Sequence, residues 1–225
     1  MPYLLRLVLP DRPGTLGAVA TALGEAGADI LGLDVVERGA DGAVDDVLVE
    51  LPPGGLADRL ITSAQSVPGV IVESLRPHLG GTDLRRDLDL VDRLAAAPDC
   101  AVALLVQHTP EVFGGGWALI VDADRGIVAA SRGAPEPEEL PMPWLPLERA
   151  RELAPTEAWV PRPWVLVGTQ LMAAPVGTPS RAVLMGRPGG PVFRASEVVR
   201  LAHLAGLAAT VEAGSARLPA EAPVT

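Results

Sequence analysis

The sequence predicts an α+β protein of two domains, the first with the element order β-α-β-β-α-β around one antiparallel sheet. Three observations carry this. A run of bulky aliphatics, 3–9, stops at Pro10 and passes at once into an Ala/Leu-rich stretch with helical spacing. Two strand-like runs, 29–37 and 43–51, flank a Gly39-Ala40-Asp41-Gly42 turn. Pro52-Pro53-Gly54-Gly55 then separates them from a second amphipathic stretch and a last short strand. At 225 residues the chain can form two small domains, each with its own core.

The first strand ends where Pro10 has no N–H to give a ladder. From Thr15 the apolar positions Leu16, Val19, Ala20, Leu23 and Ala26 recur at helical spacing, and Gly27 supplies a C-terminal stop. Runs 29–37 and 43–51 form a hairpin. Leu56, Leu60, Ile61 and Ala64 mark a second helix ending near Ser66, and Pro68-Gly69 opens the final strand, 70–75. That order is the split βαβ arrangement, four strands in one antiparallel sheet with both helices on one face.

A helical segment, 84–97, with Leu84, Leu88, Val91 and Leu94 or Ala95 on one side, leads into a second domain. Strands are expected at 101–107, 117–122, 127–131, 164–176 and 181–187, with a turn at Gly177-Thr178-Pro179-Ser180. The Pro-rich, acidic stretch 133–146 reads as a surface loop. A long helix, 195–212, with Ser196 as N-cap, closes the chain. The expected domains are 1–78 and 84–213, with 214–225 a disordered tail.

Composition removes several function classes. No apolar run approaches the roughly 20 residues of a membrane span, despite a mean hydropathy of +0.30, and the N-terminal run lacks the features of a signal peptide. A cytoplasmic location is expected. The net charge of −10 repels phosphate backbones, and no stripe of Arg interleaved with aromatics occurs, so nucleic acid is not an expected partner. The Arg85-Arg86 pair, among Asp83, Asp87 and Asp89, reads as a solvated helix face. Cys100 is the only cysteine and reads as a small buried side chain; it rules out an internal disulfide. The chain has no Lys, hence no phosphate-loop lysine and no Schiff base.

The segment Asp11-Arg12-Pro13-Gly14-Thr15-Leu16 has more than a connecting role. A helix that starts directly after a strand aims its first N–H groups and its positive dipole end into the turn. Pro13 fits the first helical turn without loss, and Gly14 leaves the backbone open to a carboxylate. The plainer alternative is that Pro-Gly only makes the turn while Asp11 or Thr15 caps the helix. Asp29, at the start of the second strand, is expected close to this turn and suited to an ammonium group. Carboxylate at one side and ammonium at the other describe an α-amino acid.

This run, with the helix ending at Gly27 and the Ala28-Asp29-Ile30 that follows, resembles the opening of an ACT domain across about residues 3–77. The resemblance implies a small regulatory module of ferredoxin-like βαββαβ fold. It implies pairing through sheets or helices, and an amino acid or other small ligand held at the interface of the pair. By position it assigns the ligand contacts to Asp11, Gly14, Thr15, Leu16, Asp29 and Ile30. Amino-acid-binding members often have Asn where this chain has Asp29; ionised Asp only accepts, and so favours an ammonium group or a cationic side chain.

Residues 171–211, with Pro191-Val192-Phe193-Arg194-Ala195-Ser196-Glu197 before an Ala/Leu helix, resemble the end of a GAF domain. That resemblance implies a helix packed behind an antiparallel sheet and a sensory pocket on the other sheet face. The Pro-rich 133–146 loop stands where lid helices are expected.

No catalytic constellation is found. His78, placed in the linker, His108 and His203 share no metal-ligand spacing, and His203 reads as a satisfied structural residue of the last helix. Asp45-Asp46 and Asp122-x-Asp124 read as exposed edge and turn acids, and Gly114-Gly115-Gly116 as a flexible turn. Trp117, Trp144, Trp159 and Trp164 read as core or loop anchors. The expectation is a non-enzymatic regulatory protein without metal or cofactor. It dimerises through its first domain, binds an amino acid between subunits and reports to a partner protein. The alternative is a ligand-free dimerisation scaffold that docks a partner through the second domain.

Overall fold

The computed structural model describes residues 2–39, 42–78, 83–137 and 139–216. The expected turn residues Ala40 and Asp41, and 217–225 of the expected tail, lie outside them. The chain divides into two compact units, Met1–Asp83 and Leu84–Thr225.

In the first unit the order is β1 (Pro2–Leu9), α1 (Thr15–Glu25), β2 (Asp29–Gly39), β3 (Gly42–Glu50), α2 (Asp58–Gln65) and β4 (Ile71–Pro77). The four strands form one antiparallel sheet in the order β2-β3-β1-β4. Alternation along β1 sends Leu5, Leu7 and Leu9 to one face, where they pack with Val47 and Val49 of β3, Val19 and Leu23 of α1, and Leu60 and Ala64 of α2. One sheet face is thus covered by both helices, as expected.

Two acids depart from expectation. Asp45 and Asp46 point to opposite faces, but β3 is an inner strand and both are buried. Asp46 stands opposite Arg6 and is held in a two-pronged ion pair, Arg6 Nε to Asp46 Oδ1 and Nη2 to Oδ2, each 2.7 Å. Asp45 lies on the helix side, opposite Leu7 and Val35. His78, expected in a linker, is buried, and its N–H donates to the Pro2 carbonyl.

The second unit holds α3 (Asp83–Ala96), a single 3-10 turn (Pro98–Cys100), α4 (Ala101–Phe113), β5 (Trp117–Asp122) and β6 (Gly126–Ala130). After these come β7 (Arg151–Leu153), α5 (Arg162–Leu166), β8 (Gln170–Val176), β9 (Thr178–Arg187) and α6 (Ala195–Ser215). The five strands form an antiparallel sheet in the order β6-β5-β9-β8-β7. Ala118, Ile120, Met172, Ala174, Val183 and Met185 join the core under α3, α4 and α6. Their neighbours Trp117, Leu119, Val121, Leu171, Ala173 and Leu184 face a second core containing all four tryptophans.

Both faces being buried explains the misread elements. Residues 101–107, expected as a strand, open α4, with Ala101, Val102, Leu105, Val106 and Thr109 buried along one side; an unbroken apolar run does not distinguish a buried strand from a buried helix. The expected strand 164–176 splits into α5, with Pro in its first turn, and β8. Pairing resumes at Thr178, so the β8–β9 connection is Gly177 alone. In α3, Leu90 and Leu94 are buried and Leu88 is exposed. Arg86 donates to the Glu111 carbonyl. Cys100 is exposed rather than buried, and His203 is an exposed residue of α6. The N-cap of α6 is Arg194, not Ser196; its N–H is taken by the Glu197 carboxylate at 2.9 Å. The helix extends through Ser215, past the expected end at 212.

Candidate functional site

The connection from β1 to α1 is built by short local bonds. Arg12 N–H donates to the Pro10 carbonyl (2.8 Å), and Thr15 gives both its N–H (3.2 Å) and its hydroxyl (3.0 Å) to the Arg12 carbonyl. The Thr15 hydroxyl is thereby occupied, and α1 has neither a side-chain cap nor an acidic residue in its first turn. The alternative in which Asp11 or Thr15 caps the helix does not hold. The N–H groups of Leu16 and Gly17, at the start of the helix, have no intrahelical acceptor and carry the positive end of its dipole.

Gly14 is the N-cap, with φ 92° and ψ −13°. A Cβ built there meets nothing within 4 Å, so glycine is required by the left-handed backbone and not by crowding. Asp11, Gly14 and Leu16 are exposed and Thr15 is half-buried. The loop is an accessible ledge of amides with a methylene in place of a side chain.

Asp29 and Ile30 are elsewhere. Asp29 stands opposite Glu50, and Glu50 stands opposite Pro2, whereas Leu9, which leads into the loop, stands opposite Ala43. Asp29 therefore lies at the other end of the sheet, separated from the loop by the 8 residues of β1, about 26 Å of extended chain. The proximity expected within one chain is not realised. Asp29 instead lines a cleft of about 610 Å³ with Tyr3, Gly27, Glu50 and the Leu51–Gly55 turn. Glu50 escapes sequence reading because only its register with Asp29 makes the two carboxylates neighbours.

The β2 strand between these ends is an edge strand. Ile30, Leu33 and Val35 pair with Val49, Val47 and Asp45 and so share the helix-side face, yet they are 37%, 43% and 44% exposed. A long edge with exposed aliphatics is an invitation to pairing.

Asp45, expected from the sequence as an exposed edge acid, is part of the interior instead. It is 4% exposed, and its Oδ1 has no hydrogen-bond partner. Burial raises its pKa above the usual 3.8; Arg38 works against that rise and Asp46 adds to it. Among the described residues no cluster of three or more His, Cys, Asp or Glu is arranged to hold a metal ion, and no helix is long and apolar enough to cross a membrane.

Comparison with protein families matches residues 3–58 to the ACT domain, which spans β1 through the opening of α2. The N-terminal unit is an ACT domain. No curated protein matches the chain. Among solved structures, a formyltetrahydrofolate deformylase from Pseudomonas putida KT2440 is 17% identical over 43% of this chain and 38% of its own length, with a TM-score of 0.29. An unknown protein from Galdieria sulphuraria is 11% identical over 96% of this chain and 93% of its own, TM-score 0.32. The regulatory subunit of aspartate kinase from Thermus flavus is 11% identical over 92% of each chain, TM-score 0.29. Superposition is loose in all three, and the ACT assignment rests on the sequence match.

Proposed function

We propose that the chain is a non-catalytic regulatory sensor in which two copies of the ACT domain pair through β2 and hold an amino acid between them. The carrying observation is that the two halves of the expected site occupy opposite ends of one sheet, joined by an exposed apolar edge strand. In an antiparallel β2–β2 pairing centred on the middle of the strand, Asp29 of one copy comes level with Gly39 of the other. Gly39 follows Arg38, which is level with Ala43 and hence with Leu9 at the mouth of the loop. Each end of the pair then combines one copy's loop amides with the other copy's Asp29. The amides at Leu16 and Gly17 take the ligand carboxylate, and Asp29 takes its ammonium group. Binding shifts the protein towards the paired state because only that state offers the complete site.

In the same reading the second unit is a GAF-like reporter domain. Its support is the long α6 packed behind an antiparallel sheet. The opposite face, where a sensory pocket is expected, is filled by Trp117, Trp144, Trp159 and Trp164, which favours the second reading for this unit, that of a surface that docks a partner protein.

The test is a thermal-shift series with the proteinogenic amino acids at millimolar concentration on the full chain, paired with sedimentation. Selective stabilisation together with a shift towards dimer supports the proposal; a uniform absence of both overturns it.

A further inference from the structure

A β2–β2 pairing that sets Asp29 level with Gly39 of the other copy has its two-fold axis at Asp34, midway along the strand. Asp34 therefore meets Asp34 of the other copy. Residues directly opposite in an antiparallel pair share a face, with their Cβ atoms about 4.5–5.5 Å apart, and like charges there oppose pairing. Within each chain Asp34 stands opposite Asp46, Asp46 opposite Arg6, and Arg6 opposite Ser74. Each copy thus brings to this row one carboxylate in excess of its guanidinium, and the two excess charges meet at the axis. Glu37, opposite Val44 on the same face of β2, adds to the excess. Arg76, opposite Leu4, lies in the neighbouring row at the far edge of the sheet.

The helix-side face of β2 acts in the same sense. Leu33 meets Val35 of the other copy, and Val35 stands opposite Asp45, a carboxylate that is 4% exposed and has no partner at Oδ1. Pairing covers Val35, 44% exposed in one chain, and takes water further from Asp45, which disfavours its charged form. The groups around Asp45 do not offset this. Arg38, diagonal to it on β2, already opposes the effect of burial in one chain, and Asp46 adds to that effect. From β1 it meets Leu7, and α1 has no charged residue before Glu25 at its end. In the pair Arg38 comes level with Ile30 of the other copy, which brings no new charge.

We infer that protons are co-effectors of this sensor, taken up at Asp34 and Asp45 when two copies pair, so that acidification drives the chain into its paired state. The inference rests on the β2 pairing proposed above. The test is sedimentation equilibrium of the full chain without ligand, between about pH 7.5 and 5.5, for wild type, Asp34→Asn, Asp45→Asn and the double variant. Each substitution replaces a carboxylate by an amide of the same shape. Each single variant is expected to pair about threefold more tightly than wild type at neutral pH, and the double variant about tenfold, with the ratio narrowing as the pH falls. The net charge of −10 shrinks over the same range, in wild type and variant alike, so the ratio of their dissociation constants is the readout. Leu33→Arg is the control for where the copies meet. Wild type that stays monomeric at every pH, or Leu33→Arg that pairs as wild type does, removes the β2 pairing and this inference with it. Wild type that pairs through β2, with the double variant matching it in affinity and pH dependence, overturns this inference alone.

Discussion

Asp29 stands opposite Glu50 in the β2–β3 ladder, and this one register places the Asp29 carboxylate a full strand length from Gly14 in the same chain. In the proposed function, ligand binding by these residues is then inseparable from pairing. Leu33→Arg puts a charge on the exposed edge of β2 without entering the core, and a substitution at such a position is expected to change unfolding free energy by no more than about 0.5 kcal/mol. It should nevertheless make the protein monomeric in sedimentation and abolish stabilisation by the amino acid. A monomeric variant that still binds would show that one chain holds a complete site.

Gly14 separates backbone strain from ligand binding. Alanine at φ 92° meets no neighbour but pays for the left-handed conformation, so Gly14→Ala should lower stability by about 1–2 kcal/mol in chemical denaturation. Gly14→Asp bears the same strain and recovers part of it as a helix cap. Its carboxylate also takes the amides proposed to hold the ligand carboxylate. The expected result is a melting temperature above that of Gly14→Ala with no response to amino acid. An amino-acid response retained by Gly14→Asp would remove these amides from the site.

Asp45 gives the first unit a pH signature. Its folded pKa lies above the unfolded 3.8, so the folded chain binds more protons than the unfolded chain between 3.8 and that raised value. Stability contributed by this group therefore falls as pH rises through the window, and the penalty is fully present at neutral pH. Asp45→Asn removes the charge and should stabilise the protein at pH 7 by about 1 kcal/mol, with the advantage disappearing as pH approaches 4. Parallel stability–pH curves for the two proteins would show that Asp45 is not desolvated in solution.

The two units differ in how far the sequence discloses them, for a physical reason. In the ACT domain one sheet face is covered by helices, so alternation in β1 and helical spacing in α1 keep their separate periods, and Asp-Arg-Pro-Gly announces the strand-to-helix turn. In the second unit both faces of the sheet are packed, the strands become continuous apolar runs, and Ala101–Phe113 is indistinguishable from them by period alone. Pro161 and Pro163 are the missed signal for α5. Register is the other blind spot: the separation of Asp29 from Gly14, and the meeting of Asp29 with Glu50, depend on pairings that no single strand encodes. Asp45 and Asp46 read as surface acids because their neighbours in β1 are far away in sequence.

Arg187 and Glu197 supply the last prediction. The Arg187 side chain is 2% exposed and donates to Glu197 Oε1 (2.7 Å) and to the Phe113 carbonyl (2.7 Å), with its guanidinium 4.0 Å from the Phe193 ring centre. The other carboxylate oxygen of Glu197 receives the N–H of Arg194 and starts α6. One carboxylate thus ties the end of β9 to the start of α6, and its guanidinium partner holds the end of α4. Glu197→Ala removes the Glu197 counter-charge from a buried cation and the carboxylate from the start of α6, a loss of about 3–5 kcal/mol. Glu197→Gln keeps one oxygen to accept, either from Arg187 or from Arg194, and should cost about 1–3 kcal/mol. Tryptophan fluorescence during urea unfolding measures this directly, because every tryptophan belongs to the second unit. If glutamine costs nothing while alanine is strongly destabilising, the charge of Glu197 contributes nothing and the carboxylate serves only as a spacer.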